Sequence, residues 1–260
     1  MGIIRRPGER FNRGRAPRGG ASAITPATIL GSALLAWFRA DLGITLNGSN
    51  VSAWADQSGN GHHLIQNTAT NQPAFEAAGL GGKPSVLFDG VDNYLVSAAS
   101  ALGAACGGND QPVSLIMAYH LVSATANDTF WSFTNTADAD SVLRIITAAG
   151  PTARSDKGAD DGGFVSAAGT IVLATTEAHV HSFVHSGTAV STWIDGTIDT
   201  NNQALNVNVT NFDRFILGAQ APTLFFNNAR YAEVVISASA LSTAKRQAIE
   251  DYMQARYGTP

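Results

Sequence analysis

The feature that most constrains this chain is a long succession of short strand-like segments between about residue 34 and residue 237. These segments are rich in Val, Ile, Thr and aromatic residues, and Asn, Asp, Gly and Pro separate them, as is typical of β-strands joined by turns. The predicted strands are Leu34–Phe38, Ser85–Phe88, Val113–Leu121, Thr129–Thr134, Val142–Thr147, Thr170–Thr175, His179–Val184, Ala189–Ile194, Arg214–Leu217 and Arg230–Ile236.

Helical signals occur at the two ends of this region. Thr25 followed by Pro26 predicts the start of a short helix, because Thr caps a helix and Pro suits its first position. Near the C-terminus, Ser242 is the predicted N-cap of a second helix and Gly258 its predicted end. Between them, apolar residues follow at helical spacing: Ala248, Ile249, Tyr252, Met253 and Tyr257. Many strands with one terminal helix predict an all-β fold, a two-sheet antiparallel sandwich.

The N-terminal segment has a different composition from the rest of the chain. Its first 20 residues contain one acidic residue, Glu9, and six arginines, which are Arg5, Arg6, Arg10, Arg13, Arg15 and Arg18. Few large apolar side chains accompany them, so the segment cannot fold alone. Fixing its backbone would cost about 20–40 kcal/mol at about 1–2 kcal/mol per residue. We therefore expect residues 1–24 to be an extended basic arm that docks on a partner.

The rest of the chain is acidic, with 10 basic and 19 acidic side chains after residue 20. A basic arm on an acidic body disfavours a nucleic-acid partner and favours an acidic protein surface, since arginine pairs well with carboxylates. The apolar fraction of 45% suffices for one large core. Residues 25–260 are therefore predicted to form one domain.

The cysteine count and the lengths of the apolar runs bear on disulfide bonds, secretion and membrane insertion. The only cysteine is Cys106, so an intrachain disulfide is impossible, and no basic neighbour lowers the pKa of its thiol. We predict that it is inert. No apolar run fits a signal peptide, and none approaches the 18 residues of a membrane span.

Several motifs resemble a known family. They are Val51-Ser-Ala-Trp-Ala-Asp-Gln-Ser-Gly-Asn-Gly-His-His-Leu64, Gly82-Lys-Pro-Ser-Val-Leu-Phe-Asp-Gly90 with Asp92-Asn93-Tyr94-Leu95, Trp193-Ile-Asp-Gly196, and Ala232-Glu-Val-Val-Ile236 with the helix that follows. In this order they resemble the concanavalin A-like, laminin G-like jelly rolls common in phage, prophage and bacterial surface proteins. The resemblance covers roughly residues 30–258 and implies a jelly-roll fold; its implications for function are weaker, because the fold hosts many roles.

Two acidic corners have alternative interpretations. Around Asp56 and after Asp89, Gly and Asn allow a tight turn while the aspartate accepts backbone N–H bonds, with Trp54 and Phe88 packed in the core. This structural interpretation is preferred. Because folds of this class often carry calcium, the alternative is a calcium loop with ligands from Asp56, Asp89, Asp92 and Asn93.

Three histidines are weak metal candidates. Strand alternation places His179, His181 and His185 on one face with Phe183, and two histidines at i, i+2 can chelate a transition metal. No cysteine or carboxylate accompanies them at useful spacing. A half-exposed strand face or a subunit contact is therefore preferred, and His62-His63 is interpreted as loop polarity.

Signatures of catalysis are missing from the sequence. The Glu-x-Asp-x-x-Glu strand motif that retaining β-glucan hydrolases of this fold share does not occur. Neither does a Gly-x-Ser-x-Gly elbow, and Gly79-Leu-Gly-Gly-Lys-Pro-Ser85 lacks the spacing of a phosphate loop. We predict that the chain is not an enzyme and has no cofactor. Trp131 and Trp193 could instead form a sugar-stacking platform, although strand aromatics usually lie in cores or interfaces.

Taken together, these observations predict a structural protein of a bacteriophage particle. The jelly roll would be a capsid decoration or accessory protein, and the six arginines would bind the major capsid protein or another virion protein. A homo-oligomer, here a trimer, is expected on symmetry grounds. The alternatives are a carbohydrate-binding, lectin-like module that adheres to host glycans, or a tail- or fibre-associated protein. The protein would be made in the host cytoplasm and located in the virion.

Overall fold

A computed structural model of the chain describes residues 24–98, 100–106, 111–137, 142–158, 162–207, 209, 211–220 and 224–260. The arm with Arg5, Arg6, Arg10, Arg13, Arg15 and Arg18 lies outside these described residues. Within the described part of the chain, no helix has the length and apolarity needed to cross a membrane.

The described residues form seventeen strands and three α-helices. The strands are β1 Leu34–Arg39, β2 Ile44–Asn47, β3 Asn50–Trp54, β4 Leu64–Ile65, β5 Ala74–Leu80, β6 Lys83–Asp89, β7 Leu95–Ser97, β8 Val113–Leu121, β9 Thr129–Thr134, β10 Val142–Thr147, β11 Thr152–Gly158, β12 Phe164–Val172, β13 Ala178–His185, β14 Ala189–Ile194, β15 Thr197–Ala204, β16 Arg214–Leu217 and β17 Asn228–Ser237. The helices are α1 Pro26–Leu30, α2 Ala101–Cys106 and α3 Thr243–Tyr257.

The strand pairings are antiparallel and form two layers. The first layer runs β15, β14, β13, β8, β17, and the far side of β17 pairs with β1 along one half and with β6 along the other. The second runs β4, β7, β16, β9, β10, β11, β12. Strands β5 and β3 connect the layers into one continuous sheet. The predicted all-β fold is confirmed.

The main core lies between the two layers. Alternate residues of β8, including Leu115, Met117 and Tyr119, face it, because successive side chains of a strand point to opposite sides. Ring contacts cross the interface: the Tyr119 and Phe130 rings are 5.0 Å apart between centroids. Trp54 and Phe88 are fully buried in this core, as predicted.

Helix α3 covers the outer face of the first layer. Its Ile249 and Met253 pack against Ile116 and Val235, which point away from the main core. The predicted ends of this helix are confirmed, since Ser242 has extended backbone angles and Gly258 is in the left-handed region. The helix start at Thr25 is also confirmed, because its side chain caps α1.

A buried carboxylate links α3 to the sheet. Glu233 of β17 accepts hydrogen bonds from the Trp37 indole at 2.6 Å and from the Tyr257 hydroxyl at 2.7 Å. Burial raises the pKa of Glu233, while these donors oppose that shift. Because the carboxylate is held by donors from β1 and α3, it fixes the helix on the sheet.

Candidate ligand-binding site

A row of polar side chains crosses the outer face of the second layer. The strand register places Ser132 of β9 beside Arg144 of β10, Arg144 beside Asp156 of β11, and Asp156 beside Ser166 of β12. Neighbouring residues of each strand, such as Leu143 and Ile145, belong to the main core. The four polar residues therefore point away from the core.

The Asp156 carboxylate in this row accepts hydrogen bonds from two arginines. The Arg154 guanidinium donates to both oxygens of Asp156, at 2.8 and 3.1 Å, and Arg144 donates from Nε at 3.0 Å. The Ser166 hydroxyl donates to the same carboxylate at 2.7 Å. Burial lowers the pKa of Arg144 from its ordinary value, although Asp156 opposes the shift. Since arginine remains protonated in proteins, the trio carries one excess positive charge.

Two exposed phenylalanines lie beside Arg144. The guanidinium carbon of Arg144 lies 5.5 Å from the centroid of Phe164 and 5.6 Å from that of Phe225. Phe164 is 50% exposed and Phe225 is 42% exposed. Cation–π contact orients the rings, which otherwise remain accessible to solvent. We call Arg144, Arg154, Asp156, Phe164 and Phe225 the arginine–aromatic patch.

The backbone at Phe225 is strained. Its φ is +57°, and the other non-glycine residues with positive φ in the described chain are Asn or Asp, which tolerate it far better. The segment is held against β9, because Thr129 donates its N–H to the Phe225 carbonyl at 3.0 Å and Ser132 donates its hydroxyl to the Ala219 carbonyl at 2.9 Å. Such strain costs about 1–3 kcal/mol and is often found at functional sites.

This strain can be measured by comparing two variants. We expect Phe225→Gly to be more stable than Phe225→Ala by about 1 kcal/mol, because both lose the ring and only glycine relaxes the positive φ. The free energy of unfolding from urea titration measures the difference. At the neighbouring Leu224, whose φ is not positive, the same pair serves as control, and there alanine should be the more stable. Equal stability of the two Phe225 variants would contradict the strain.

Trp131 lies in the protein interior, whereas a sugar platform requires an exposed ring. This predicted stacking residue has no exposed surface. Its ring contacts Phe183 of the opposite layer at 4.9 Å and Phe133 at 5.8 Å between centroids. The residue points inward because it lies on the core side of the central strand β9, so neither ring face is available to a ligand.

Trp193, the second predicted stacking residue, is half-buried on the outer face of the first layer. The guanidinium carbon of Arg246 from α3 lies 4.0 Å from its ring centroid. That contact occupies one ring face. Trp131 and Trp193 therefore do not form a common surface, because they belong to different layers and point in different directions.

The three candidate metal histidines share a strand face, but this face is not half-exposed. His179, His181 and His185 are all at least 97% buried, because β13 lies between β8 and β14 and faces the second layer. His179 donates from Nδ1 to Asp195 at 2.6 Å, and Nε2 lies 3.2 Å from the Ala174 carbonyl oxygen. Burial lowers the pKa of His179, but these hydrogen bonds outweigh it and the pKa is raised overall.

His181 lies deeper in the same face. Burial, with a smaller contribution from the charge of His179, lowers its pKa to about 3. Across the described residues, no group of three or more His, Cys, Asp or Glu side chains is arranged to hold a metal ion. Cys106 is buried as well, and burial raises the pKa of its thiol to about 12.

The corner at Asp56 uses its carboxylate for local hydrogen bonds. Oδ1 accepts from the backbone N–H of Trp37 and of Ser58, at 2.9 and 2.8 Å. Oδ2 accepts from the Ser58 hydroxyl at 2.7 Å and from the N–H of His62 at 3.0 Å. The carboxylate thereby connects the corner to β1.

The second corner has the same arrangement. Oδ1 of Asp89 accepts from the N–H groups of Val91, Asp92 and Asn93, at 2.9 to 3.4 Å. The amide of Asn93 donates to the Asp92 carboxylate at 3.2 Å. A calcium ion at either corner stays a prediction from the family resemblance.

The arginine–aromatic patch was not predicted from the sequence. A usable signal exists at Arg144, a lone charge inside an apolar predicted strand, and at Arg154 and Asp156, whose i, i+2 spacing places them on one strand face. Phe225 gives no such signal, because only the folded backbone shows that it lies next to Arg144.

Comparisons with known proteins identify the fold and no family. No family model matches the chain, and no curated protein matches it either. Solved structures similar to it include the Trypanosoma rangeli sialidase, with a TM-score of 0.60, 13% identity, and coverage of 88% of this chain and 34% of the sialidase. The binding domain of Paraclostridial Mosquitocidal Protein 1 matches with a TM-score of 0.61, 11% identity, and coverage of 89% and 56%.

A third similar structure is the botulinum neurotoxin serotype D ligand-binding domain in complex with N-acetylneuraminic acid. It matches with a TM-score of 0.60, 8% identity, and coverage of 91% of this chain and 56% of that domain. The chain thus spans about a third of the sialidase and just over half of each binding domain. These likenesses concern the fold alone, and the all-β class of this chain is the one that the sequence predicted.

The comparisons correct one prediction. The chain was expected not to be an enzyme, and this expectation is contradicted by the match of 88% of its length to a sialidase structure. The missing β-glucan hydrolase motif excludes one kind of active site and not enzymes as a class, because the same fold occurs in proteins with different functions.

Proposed function

We propose that this protein is a carbohydrate-binding, lectin-like module whose ligand lies on the arginine–aromatic patch. The observation that carries the proposal is the pair of exposed rings, Phe164 and Phe225, which both lie within 5.6 Å of the guanidinium carbon of buried Arg144. Exposed aromatic rings beside hydrogen-bonding groups suit a sugar, which has an apolar face and a polar rim.

The polar groups of the patch complement the rings. Arg154 is 28% exposed at its side chain and Ser166 is exposed on the same side of the sheet. Both belong to strands of a continuous sheet, and their mutual hydrogen bonds to Asp156 hold them in place. A site of this kind is already ordered before binding, which lowers the entropic cost of binding a flexible sugar.

The fold comparisons support the same function class. Two of the similar structures are binding domains, and one of them was determined with N-acetylneuraminic acid. Part of a sialidase structure is also similar to this chain. These proteins share the fold with this chain, and sugar recognition by this chain is the proposal.

The test is glycan binding by the Phe164→Ala variant. We expect a glycan array to reveal ligands of the full chain, and Phe164→Ala to weaken their binding at least tenfold, because losing a buried Phe contact costs about 1.5–3 kcal/mol. Ile198→Ala is the matched control, since Ile198 is 46% exposed on a strand of the other layer. Unchanged binding by Phe164→Ala, or no binding by the parent, would refute the site.

A role in a bacteriophage particle is a second proposal, supported by the six arginines among the first 20 residues and by the jelly-roll resemblance. Carbohydrate binding is compatible with it, as in an adhesive module displayed on a virion. Deleting residues 1–24 should leave a folded domain that no longer binds particles. Normal occupancy of particles by the shortened chain would refute docking through the arm.

A further inference from the structure

We infer that the ligand of the arginine–aromatic patch is an acidic sugar, whose carboxylate binds Arg154 while its ring lies on Phe164. This inference rests on the proposed carbohydrate-binding function and adds the chemical class of the ligand. Its basis is the charge of the patch and the different depths of the charged groups.

The patch is positive within an acidic chain. Strands β9 to β12 contain four charged residues, which are Arg144, Arg154, Asp156 and Lys157. Lys157 donates to the Gly187 carbonyl of the first layer, so its charge lies on the other side of the sheet. On the outer side, two arginines accompany one aspartate, whereas the whole chain has a net charge of −4.

Depth determines which of these charges a ligand meets. The Asp156 side chain has no exposed surface, and Arg144 is 8% exposed at its side chain, whereas Arg154 is 28% exposed. The negative group thus lies beneath the positive one. An incoming anion would meet the Arg154 guanidinium first, in surroundings that are less hydrated than open surface, where charge pairing is stronger.

Arg154 also has bonding capacity left. It donates to Asp156 from Nε and Nη2, and among the described residues no partner of its Nη1 is present. A guanidinium has five N–H donors in a planar fork, which suits the planar carboxylate of a uronic or sialic acid. The exposed Ser166 hydroxyl lies next to it and can bond a neighbouring sugar hydroxyl.

The rings explain why the anion should be a sugar rather than a free ion. Phe164, the first residue of β12, lies against Arg144, so its exposed half adjoins the Arg144 guanidinium. A carboxylate alone would leave this apolar surface in water. A carboxylated pyranose would cover the ring and pair with the arginine at the same time.

The experiment compares matched saccharides on the full chain by titration calorimetry. The pairs are sialyllactose with lactose, and a glucuronate oligosaccharide with its carboxyl-reduced form; a sulfated form of the latter separates carboxylate from sulfate recognition. We expect at least one carboxylated member to bind tenfold or more tightly than its neutral partner. The preference should fall as salt is raised from 50 to about 500 mM, since salt screens exposed charge.

Arg154→Gln should abolish this preference, because the carboxylated member of a pair loses more affinity than its neutral partner, and Phe164→Ala should weaken both members of the pair. Arg230→Gln is the matched control, because Arg230 is 24% exposed, pairs with Glu76 through two hydrogen bonds and lies in the first layer. It removes the same charge from the chain and should leave the preference intact.

The outcomes separate the inference from the proposed function. Equal binding of charged and neutral partners, both lost in Phe164→Ala, would overturn the acidic ligand and leave the sugar site standing. Equal binding of the sulfated and carboxylated forms would overturn carboxylate recognition. If none of the saccharides binds, and the glycan array is negative as well, both the inference and the proposed function fail.

Discussion

Replacing Trp131 by alanine is expected to lower the free energy of unfolding by about 3–5 kcal/mol, the usual cost of deleting a buried aromatic side chain. The ring is completely buried and touches Phe133 and Phe183 edge-on. Removing it would leave a cavity where the two layers meet. Chemical denaturation followed by fluorescence or circular dichroism measures the loss.

Two further variants sharpen this prediction. Trp131→Phe should cost less, because most of the apolar volume stays and the indole N–H has no hydrogen-bond partner in the described structure. Val91→Ala, at a 70% exposed position, should stay within about 0.5 kcal/mol of the parent. A Trp131→Ala protein as stable as the parent would mean that this residue is at the surface, as a sugar platform requires.

The second large effect is expected at a buried ion pair within α3, on the side of the helix that packs against the first layer. Arg246 pairs with Glu250 one turn further along the helix, and both side chains are less than 5% exposed. Glu250 also accepts from the Ser182 hydroxyl of β13 at 2.6 Å. Replacing Arg246 by methionine should destabilise the fold by about 3–5 kcal/mol, because it leaves a carboxylate buried without its counter-charge.

The double replacement of Arg246 by methionine and Glu250 by leucine is the control. It should be more stable than Arg246→Met alone, since it removes both charges together. Unfolding titrations of the parent, the single variants and the double variant form a cycle that isolates the coupling between the two side chains. A double variant less stable than the Arg246→Met protein would contradict the role of the uncompensated charge.

The two helix ends and many of the strands were predictable because their signals are local. Strands β8, β9, β10, β14 and β16 have the predicted bounds, since each is a run of β-forming residues between turn residues. The prediction at Thr170–Thr175 was wrong in its bounds, because β12 occupies Phe164–Val172 and ends before that segment does. Its Ala- and Gly-rich composition weakens the local signal, and pairing with β11 determines its extent.

Other elements were missed because their stability comes from their neighbours. Strand β11 has the polar sequence Thr-Ala-Arg-Ser-Asp-Lys-Gly, which resembles a loop when it is considered alone. Between β10 and β12 it satisfies its backbone hydrogen bonds on both sides. Strand β15, with Asp199 and two asparagines, was overlooked for the same reason. Backbone pairing overrides the weak β-propensity of such residues.

The candidate site, too, was only partly predictable from the sequence. That Arg144, Arg154 and Asp156 together carry one excess positive charge follows from the sequence, whereas the strand that contains Arg154 and Asp156 was not predicted. Which side of the sheet they occupy, and that Phe225 joins them from a segment about 70 residues away, depends on the pairing of β9 to β12 and on the hydrogen bonds at Thr129 and Ser132.

The amino-acid sequence by itself determined the all-β class, the terminal helix and the basic composition of the N-terminal segment, because these follow from short-range patterns and charge. Only the tertiary structure decided that Trp131 and the three histidines of β13 are interior and that two phenylalanines and two arginines form one surface. The physical reason is that a strand has two faces, and the layer that packs against one face determines which side chains remain exposed.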